Sequence, residues 1–195
     1  MTPPILHLAI LGSTRGTNLQ AIIEAIAAKK LNAQIDIVIS NKPDAYILER
    51  AQEHGLATQY LSGTGKTRED FDAEIVEVLE KFPIDLILLI GYMRILSPDF
   101  VESYRDKILN VHPSLLPDFA GGMDMDVHKT VLRAGVKETG CTIHFVDEGV
   151  DTGKILLQKK CTVEPTDTPE SLKEKVQKLE GEAWVEVLQK YSQTI

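Results

Sequence analysis

The sequence predicts an α/β fold, a mostly parallel sheet flanked by helices, closed by an antiparallel hairpin and a long C-terminal helix. Three observations lead there. Apolar runs of strand length at residues 5–11, 33–40 and 84–90 alternate with stretches whose apolar residues recur at helical spacing. Near the C-terminus two strand-like runs, 142–146 and 155–163, follow each other with no helical pattern between them. Finally, the 195 residues are 43% hydrophobic and 26% charged, which suits one core and one domain.

Taken in order, residues 5–11 form an apolar run that ends at Gly12. A turn, Ser13-Thr14-Arg15-Gly16-Thr17-Asn18, leads into a helix with Leu19, Ile22, Ile23 and Ile26 on one stripe. The start of a helix placed there is a natural anion site, because its first N–H groups have no partner within the helix. Gly16 lets the backbone approach a ligand, and Thr17 and Asn18 add side-chain donors. The glycines do not fall as in a dinucleotide fingerprint, and no Gly-Lys-Ser/Thr ending marks a nucleotide P-loop. A phosphate on a smaller substrate fits; taken alone, the turn also fits an ordinary βα connection. Residues 33–40 are a second strand, 45–53 a helix ended by Gly55, and 58–61 a short strand. Thr67 is the expected N-cap of a helix carrying Phe71, Ile75, Val78 and Leu79 on one side. Arg68 in its first turn opposes the helix dipole, either as a ligand contact or as a solvated side chain.

The run 84–90 is the most apolar strand, followed by Gly91-Tyr92-Met93-Arg94-Ile95-Leu96. In a doubly wound sheet, ligands bind beyond the carboxyl ends of the strands, where the Gly16 turn and this segment both fall. Ser97-Pro98 starts a short helix. Residues 127–134 are helical, ended near Gly135. Asp124, Asp126 and His128 have no coordination spacing and read as a loop entering that helix, so no metal is expected. His144 reads as an ordinary strand histidine. Thr168-Pro169 begins the last helix, with the stripe Leu172, Val176, Leu179, Ala183, Val187 and Tyr191 turned to the sheet. Gln177 and Glu180, three apart, share a face of it.

A formal net charge of −8 argues against a nucleic-acid or anionic-membrane partner, and no apolar run reaches membrane-spanning length. The start of the chain lacks the basic-then-apolar pattern of a secretory leader. The two cysteines, Cys141 and Cys161, show no zinc or redox spacing and read as reduced core residues of a cytoplasmic protein.

The most informative stretch is Leu109-Asn110-Val111-His112-Pro113-Ser114-Leu115-Leu116-Pro117. Pro113 holds the preceding residue extended, so Asn110 and His112, two apart, leave one face. An amide there can donate to a developing negative oxygen, and an imidazole can move protons near neutral pH. A strand-capping histidine and a turn-satisfying asparagine are the plain alternative on these residues alone.

Together with the Gly16-Thr17-Asn18-Leu19 turn, the run Asn110-x-His112-Pro113-Ser114-Leu115-Leu116-Pro117 and the stretch Gly140, Thr142-Ile143-His144-Phe145, Asp151-x-Gly153 resemble the 10-formyltetrahydrofolate-dependent formyltransferases. The resemblance runs through nearly the whole chain and is strongest to the branch that formylates phosphoribosylglycinamide in purine biosynthesis. It implies a Rossmann-like formyltransferase domain over residues 1–195, with a phosphate-substrate half to about residue 100 and a catalytic and folate half beyond. It implies that Asn110, His112 and Asp151 are catalytic. Gly16, Thr17, Asn18, Gln177 and Glu180 would bind the phosphoribosyl substrate. Arg68, Met93, Arg94, Ile95, Leu96, Asn110, Val146, Asp147, Glu148 and Val150 would line the folate pocket, with 10-formyltetrahydrofolate as co-substrate and no metal. After Pro117 the chain departs from the family: extra residues around Gly121-Gly122 precede His128, the match to the family's loop histidine.

The implied chemistry is attack of a primary amine on the formyl carbon, with Asn110 and a protonated His112 holding the oxyanion and Asp151 supplying the carboxylate that favours the imidazolium. Relatives that formylate methionyl-tRNA carry a further C-terminal domain and need basic surface, and those that hydrolyse formyl-folate add an N-terminal domain. Neither pattern matches this chain, and a non-catalytic binding module would not need all three catalytic residues. The expected partners are therefore small molecules, with no nucleic acid and no membrane, on a monomer or homodimer.

Overall fold

The computed structural model describes residues 4–123 and 125–193. Its centre is a seven-stranded sheet in the order β3-β2-β1-β4-β5-β6-β7. The first five strands are β1 (Leu6–Leu11), β2 (Ala33–Ser40), β3 (Thr58–Tyr60), β4 (Leu86–Leu89) and β5 (Ile108–His112), all parallel. Antiparallel to β5 runs β6 (Glu138–Phe145), which pairs with β7 (Ile155–Thr162) as the expected hairpin.

Strand side chains alternate between two cores, as a pleated ribbon buried on both faces requires. Leu6, Leu8 and Ile10 of β1, with Leu86, Leu88 and Ile90 around β4, face one layer. That layer is built on α1 (Thr17–Ala27), α2 (Tyr46–Glu53) and α6 (Pro169–Ser192), around the fully buried Trp184. Ala9, Leu11, Ile87 and Leu89 face the other, under α3 (Arg68–Leu79) and α4 (Pro98–Ser103). A small third cluster joins Val127 and Val131 of α5 (Met125–Ala134) to Leu172 at the start of α6. No helix among the described residues is long and apolar enough to cross a membrane.

The helix starts obey local chemistry. Thr67 accepts from the backbone N–H of Asp70, Ser97 from that of Phe100, and Thr168 from that of Ser171, whose hydroxyl in turn accepts from the Thr168 N–H. α1 is different. Its N-cap is Gly16 at φ 65°, with no side-chain cap. A Cβ on Gly16 would lie 2.4 Å from Ile47 of α2, so only glycine fits both the backbone and the packing.

Strand order reverses between β1 and β4, the switch point at which connections leave in opposite directions and open a crevice. The two loops bordering it are stitched together. Ser13 Oγ donates to Asn41 Oδ1 at 2.6 Å and accepts from the Met93 N–H at 2.9 Å. Gly91 at φ 59° passes so close to Thr14 that a Cβ would meet the threonine hydroxyl.

Candidate active site

A cavity of about 360 Å³ opens at this switch point. One end is walled by Thr14 to Asn18 at the start of α1 and by Lys173, Gln177 and Glu180 of α6. The other is walled by the loop after β4, including Met93, Arg94, Ile95 and Leu96, and by residues 146–151 after β6. Asn110 and His112 of β5 border the same space.

The α1–α6 contact sets the first end. Gly181 lets α6 approach Ala21, and Asn18 Nδ2 donates to Glu180 Oε2 at 2.8 Å in a buried bond. Asn18 Oδ1 is buried without a hydrogen-bond partner. The α1 start thus presents a glycine turn and an uncapped helix terminus to the cavity, a place suited to an anion.

The chemical centre is built by strand register. Antiparallel pairing sets Asn110 opposite His144 and His112 opposite Thr142. Asn110 Nδ2 donates to His144 Nε2 at 3.2 Å, while His144 Nδ1 donates to the Phe145 carbonyl at 2.8 Å. Thr142 Oγ1 donates to the Ser114 carbonyl and accepts from the Leu116 N–H, which ties the Pro-rich loop after β5 to β6. Asp151, at φ 57° in the loop between β6 and β7, turns its carboxylate back into the site. A non-glycine residue held in that region marks a backbone shaped by its surroundings.

The Asp151 carboxylate lies 3.1 Å from His112 Nδ1 and 3.6 Å from His144 Nε2, and accepts from the Gly121 N–H at 2.9 Å. Burial pushes its pKa up, but the His112 ring and the Gly121 N–H it accepts from, with the His144 ring close by, outweigh burial and hold it well below the usual carboxylate range. His112, 3% exposed, donates from Nε2 to the Phe119 carbonyl at 3.0 Å while Nδ1 faces Asp151. The arrangement is a buried imidazole ring clamped between a carbonyl and a carboxylate, with a carboxamide beside it.

Of the residues singled out in the sequence, Asn110, His112 and Asp151 meet at this centre. Gly16, Thr17, Asn18, Gln177 and Glu180 meet at the α1–α6 end, and Met93 to Leu96, Val146, Asp147, Glu148 and Val150 line the other. Arg68 is the exception. It stands outside the cavity wall, paired with Glu69 at 3.2 Å and 42% exposed, as the first residue of a helix turned to solvent there. His144 is the reading that needs correction. It is no ordinary strand histidine; the register with Asn110 brings it, 2% exposed, into the chemical centre. Asp124 lies outside the described residues, while His128 lies buried on the cavity wall. Among the described residues no cluster of three or more His, Cys, Asp or Glu side chains is arranged to hold a metal ion. Cys141 and Cys161 are both free, Cys141 fully buried and its thiol pushed up to about 12 by burial.

Comparison with known proteins agrees with this geometry. The formyl transferase family profile matches residues 6–188. Phosphoribosylglycinamide formyltransferase of Escherichia coli is 39% identical over 173 residues, covering 88% of this chain and 80% of the relative. The human trifunctional purine biosynthetic protein adenosine-3 is 44% identical over 184 residues, covering 94% of this chain, which spans only 18% of that protein's length. Among solved structures, glycinamide ribonucleotide transformylase 1 of Symbiobacterium toebii superposes with a TM-score of 0.92 at 36% identity, over 97% of this chain and 89% of that one. On the matched profile and these relatives, the chain belongs to the formyl transferase family.

Proposed function

We propose that the chain transfers the formyl group of 10-formyltetrahydrofolate to the amine of 5′-phosphoribosylglycinamide, a step of purine biosynthesis. The observation that carries the reading is one continuous cavity with an anion-suited helix start at one end, an apolar-lined cleft at the other, and Asn110, His112 and Asp151 between them. The two substrates would lie end to end along this cavity, their reacting atoms beside His112. Gly16, Thr17 and Asn18 bind the phosphate, while Gln177 and Glu180 face the ribosyl-glycinamide part. Met93 to Leu96 and the loop carrying Val146, Asp147, Glu148 and Val150 take the folate, with Arg68 left to its outer rim.

In this reaction the amine nitrogen forms a bond to the formyl carbon, and the carbonyl electron pair moves onto oxygen. His112, charged by its place between Asp151 and a carbonyl, donates to that oxygen together with Asn110. The intermediate collapses by breaking the bond to the folate nitrogen, which takes a proton as the amine loses one. Holding both substrates in one cavity supplies proximity that acid–base groups alone do not. The same reading makes this a cytoplasmic enzyme of small molecules, monomeric or dimeric. A surface with net charge −8 disfavours an RNA acceptor.

The test is loss of formyl from 10-formyltetrahydrofolate with and without phosphoribosylglycinamide. Turnover that requires the amine and yields the N-formyl product supports the reading. Formate release at the same rate without the amine indicates a hydrolase, and tight folate binding without turnover indicates a binding module; either outcome refutes it.

A further inference from the structure

Beside the helix start that faces the phosphate end of the cavity lie two guanidinium groups on one aromatic ring. Arg15, the residue before Gly16, lies with its guanidinium carbon 5.5 Å from the Tyr46 ring centroid, and that of Arg50 lies 5.2 Å from it. The cluster is fixed from below. Arg50 donates from Nε to the Arg15 carbonyl at 3.2 Å and from Nη1 to Gln20 at 2.7 Å, and the Ile47 N–H donates to the Thr14 carbonyl at 3.1 Å. Among the described residues no carboxylate pairs with either guanidinium. Arg15 is exposed and borders the cavity.

Two like charges sharing one ring without an acid are unusual in a chain of net charge −8. Their mutual repulsion is relieved when an anion arrives, so the cluster favours the loaded site. Backbone N–H groups at a helix start bind a phosphate through partial charge, whereas a guanidinium adds a full charge and a planar fork that matches two phosphate oxygens. Stacking on Tyr46 removes much of the side-chain freedom that arginine would otherwise lose on binding.

Resting on the proposed acceptor substrate, we infer that Arg15 is a phosphate-recognition residue of this site, held ready by Tyr46 and Arg50. It selects a phosphomonoester dianion over the uncharged ribosyl analogue. Its location in a turn, four residues before a helical stripe, gives no periodic signal, and only the packing of α2 against the loop brings Tyr46 and Arg50 to it.

The experiment compares wild type, Arg15→Gln and Tyr46→Leu. Arg15→Gln is expected to raise KM for phosphoribosylglycinamide about tenfold, with the loss falling on KM rather than kcat and with KM for folate unchanged. Turnover of dephosphorylated ribosylglycinamide should be the same in both proteins. Inorganic phosphate, as a competitor, should weaken by the same factor as the substrate. Tyr46→Leu, which keeps the charge and removes the platform, should weaken binding about threefold. An unchanged KM with unchanged phosphate affinity overturns the inference, as does an equal loss for the dephosphorylated analogue. If wild type does not formylate phosphoribosylglycinamide, the proposed reaction fails. Calorimetric binding of inorganic phosphate then decides the role of Arg15 alone, weaker binding in Arg15→Gln supporting it and equal binding overturning it.

Discussion

Replacing Asp151 with Asn removes one charge and little else. Asparagine tolerates the left-handed backbone that Asp151 adopts, and its amide oxygen can still accept from Gly121. What goes is the counter-charge 3.1 Å from His112 Nδ1. Unit charges about 4 Å apart attract by about 4 kcal/mol at an effective dielectric of 20, an upper figure for what the pair contributes to keeping the ring charged. An imidazole that is no longer held as the cation donates to the oxyanion without its charge, and losing such a donor costs on the order of 100- to 1000-fold in rate. The expected result is a kcat lower by that factor, with KM for phosphoribosylglycinamide within about threefold, because the phosphate end of the cavity is untouched. Steady-state kinetics on both substrates reads it out. The acid side supplies a second check. Because the folded carboxylate stays ionised below the usual range, the stability that wild type gains from it is complete above about pH 5. It is lost only as pH falls through the lower folded value. Denaturant melts of wild type and variant should therefore draw together as pH falls below about pH 4. A variant with kcat within tenfold of wild type at equal stability would refute this account of the site.

Three further substitutions probe the scaffold. Gly16→Ala forces a side chain into a φ of 65° and against Ile47, so it should cost about 1–3 kcal/mol in chemical denaturation and raise KM for the phosphorylated amine. Thr168→Ala removes the hydroxyl that accepts from the Ser171 N–H at the start of α6, leaving the Thr168 backbone arm in place, and should cost about 1 kcal/mol, lowering the melting temperature by about 2–4 °C. Tyr92→Phe deletes a buried hydroxyl with no hydrogen-bond partner, whose ionisation burial pushes far above the tyrosine range; stability should stay level or rise by up to about 1 kcal/mol, and a clear loss in a thermal melt would contradict it.

The fold was legible wherever local chemistry decides. Strand β2 occupies the predicted residues 33–40, and Thr67, Ser97 and Thr168 cap their helices because their hydroxyls sit where free N–H groups need them. The hairpin of β6 and β7 followed from two apolar runs without a helix between them, although β6 begins four residues earlier than its apolar pattern, at Glu138. The site was legible in part. Asn110 and His112 stand out through their proline context, and the chemistry of Asp151 followed from family resemblance rather than from its neighbours. His144 and Arg15 were not legible, since both matter only through long-range pairing: an antiparallel register in one case, the packing of α2 on a loop in the other. Arg68 lies outside the residues that line the cavity. A cation at a helix start looked purposeful, but the orientation of α3 leaves it on the surface beside Glu69.

The clamp on His112 bears on how such a site favours the transition state over the substrate. The Nε2–H is satisfied by the Phe119 carbonyl, a neutral acceptor at 3.0 Å. In the proposed reaction, the formyl oxygen of the bound folate is also a neutral carbonyl. Exchanging one for the other gains little, so the ground state is not bound more tightly by this donor. Once the amine has attacked, the same oxygen carries a negative charge, and a bond from a cationic donor to an anion is stronger than one to a neutral carbonyl. The difference appears only as the tetrahedral species forms, which is the condition for raising kcat rather than lowering KM. In the proposed reaction the Phe119 carbonyl would be a placeholder whose strength matches the substrate carbonyl and falls short of the oxyanion. Asp151, anchored to Gly121 in the same loop, keeps the ring charged while that exchange takes place.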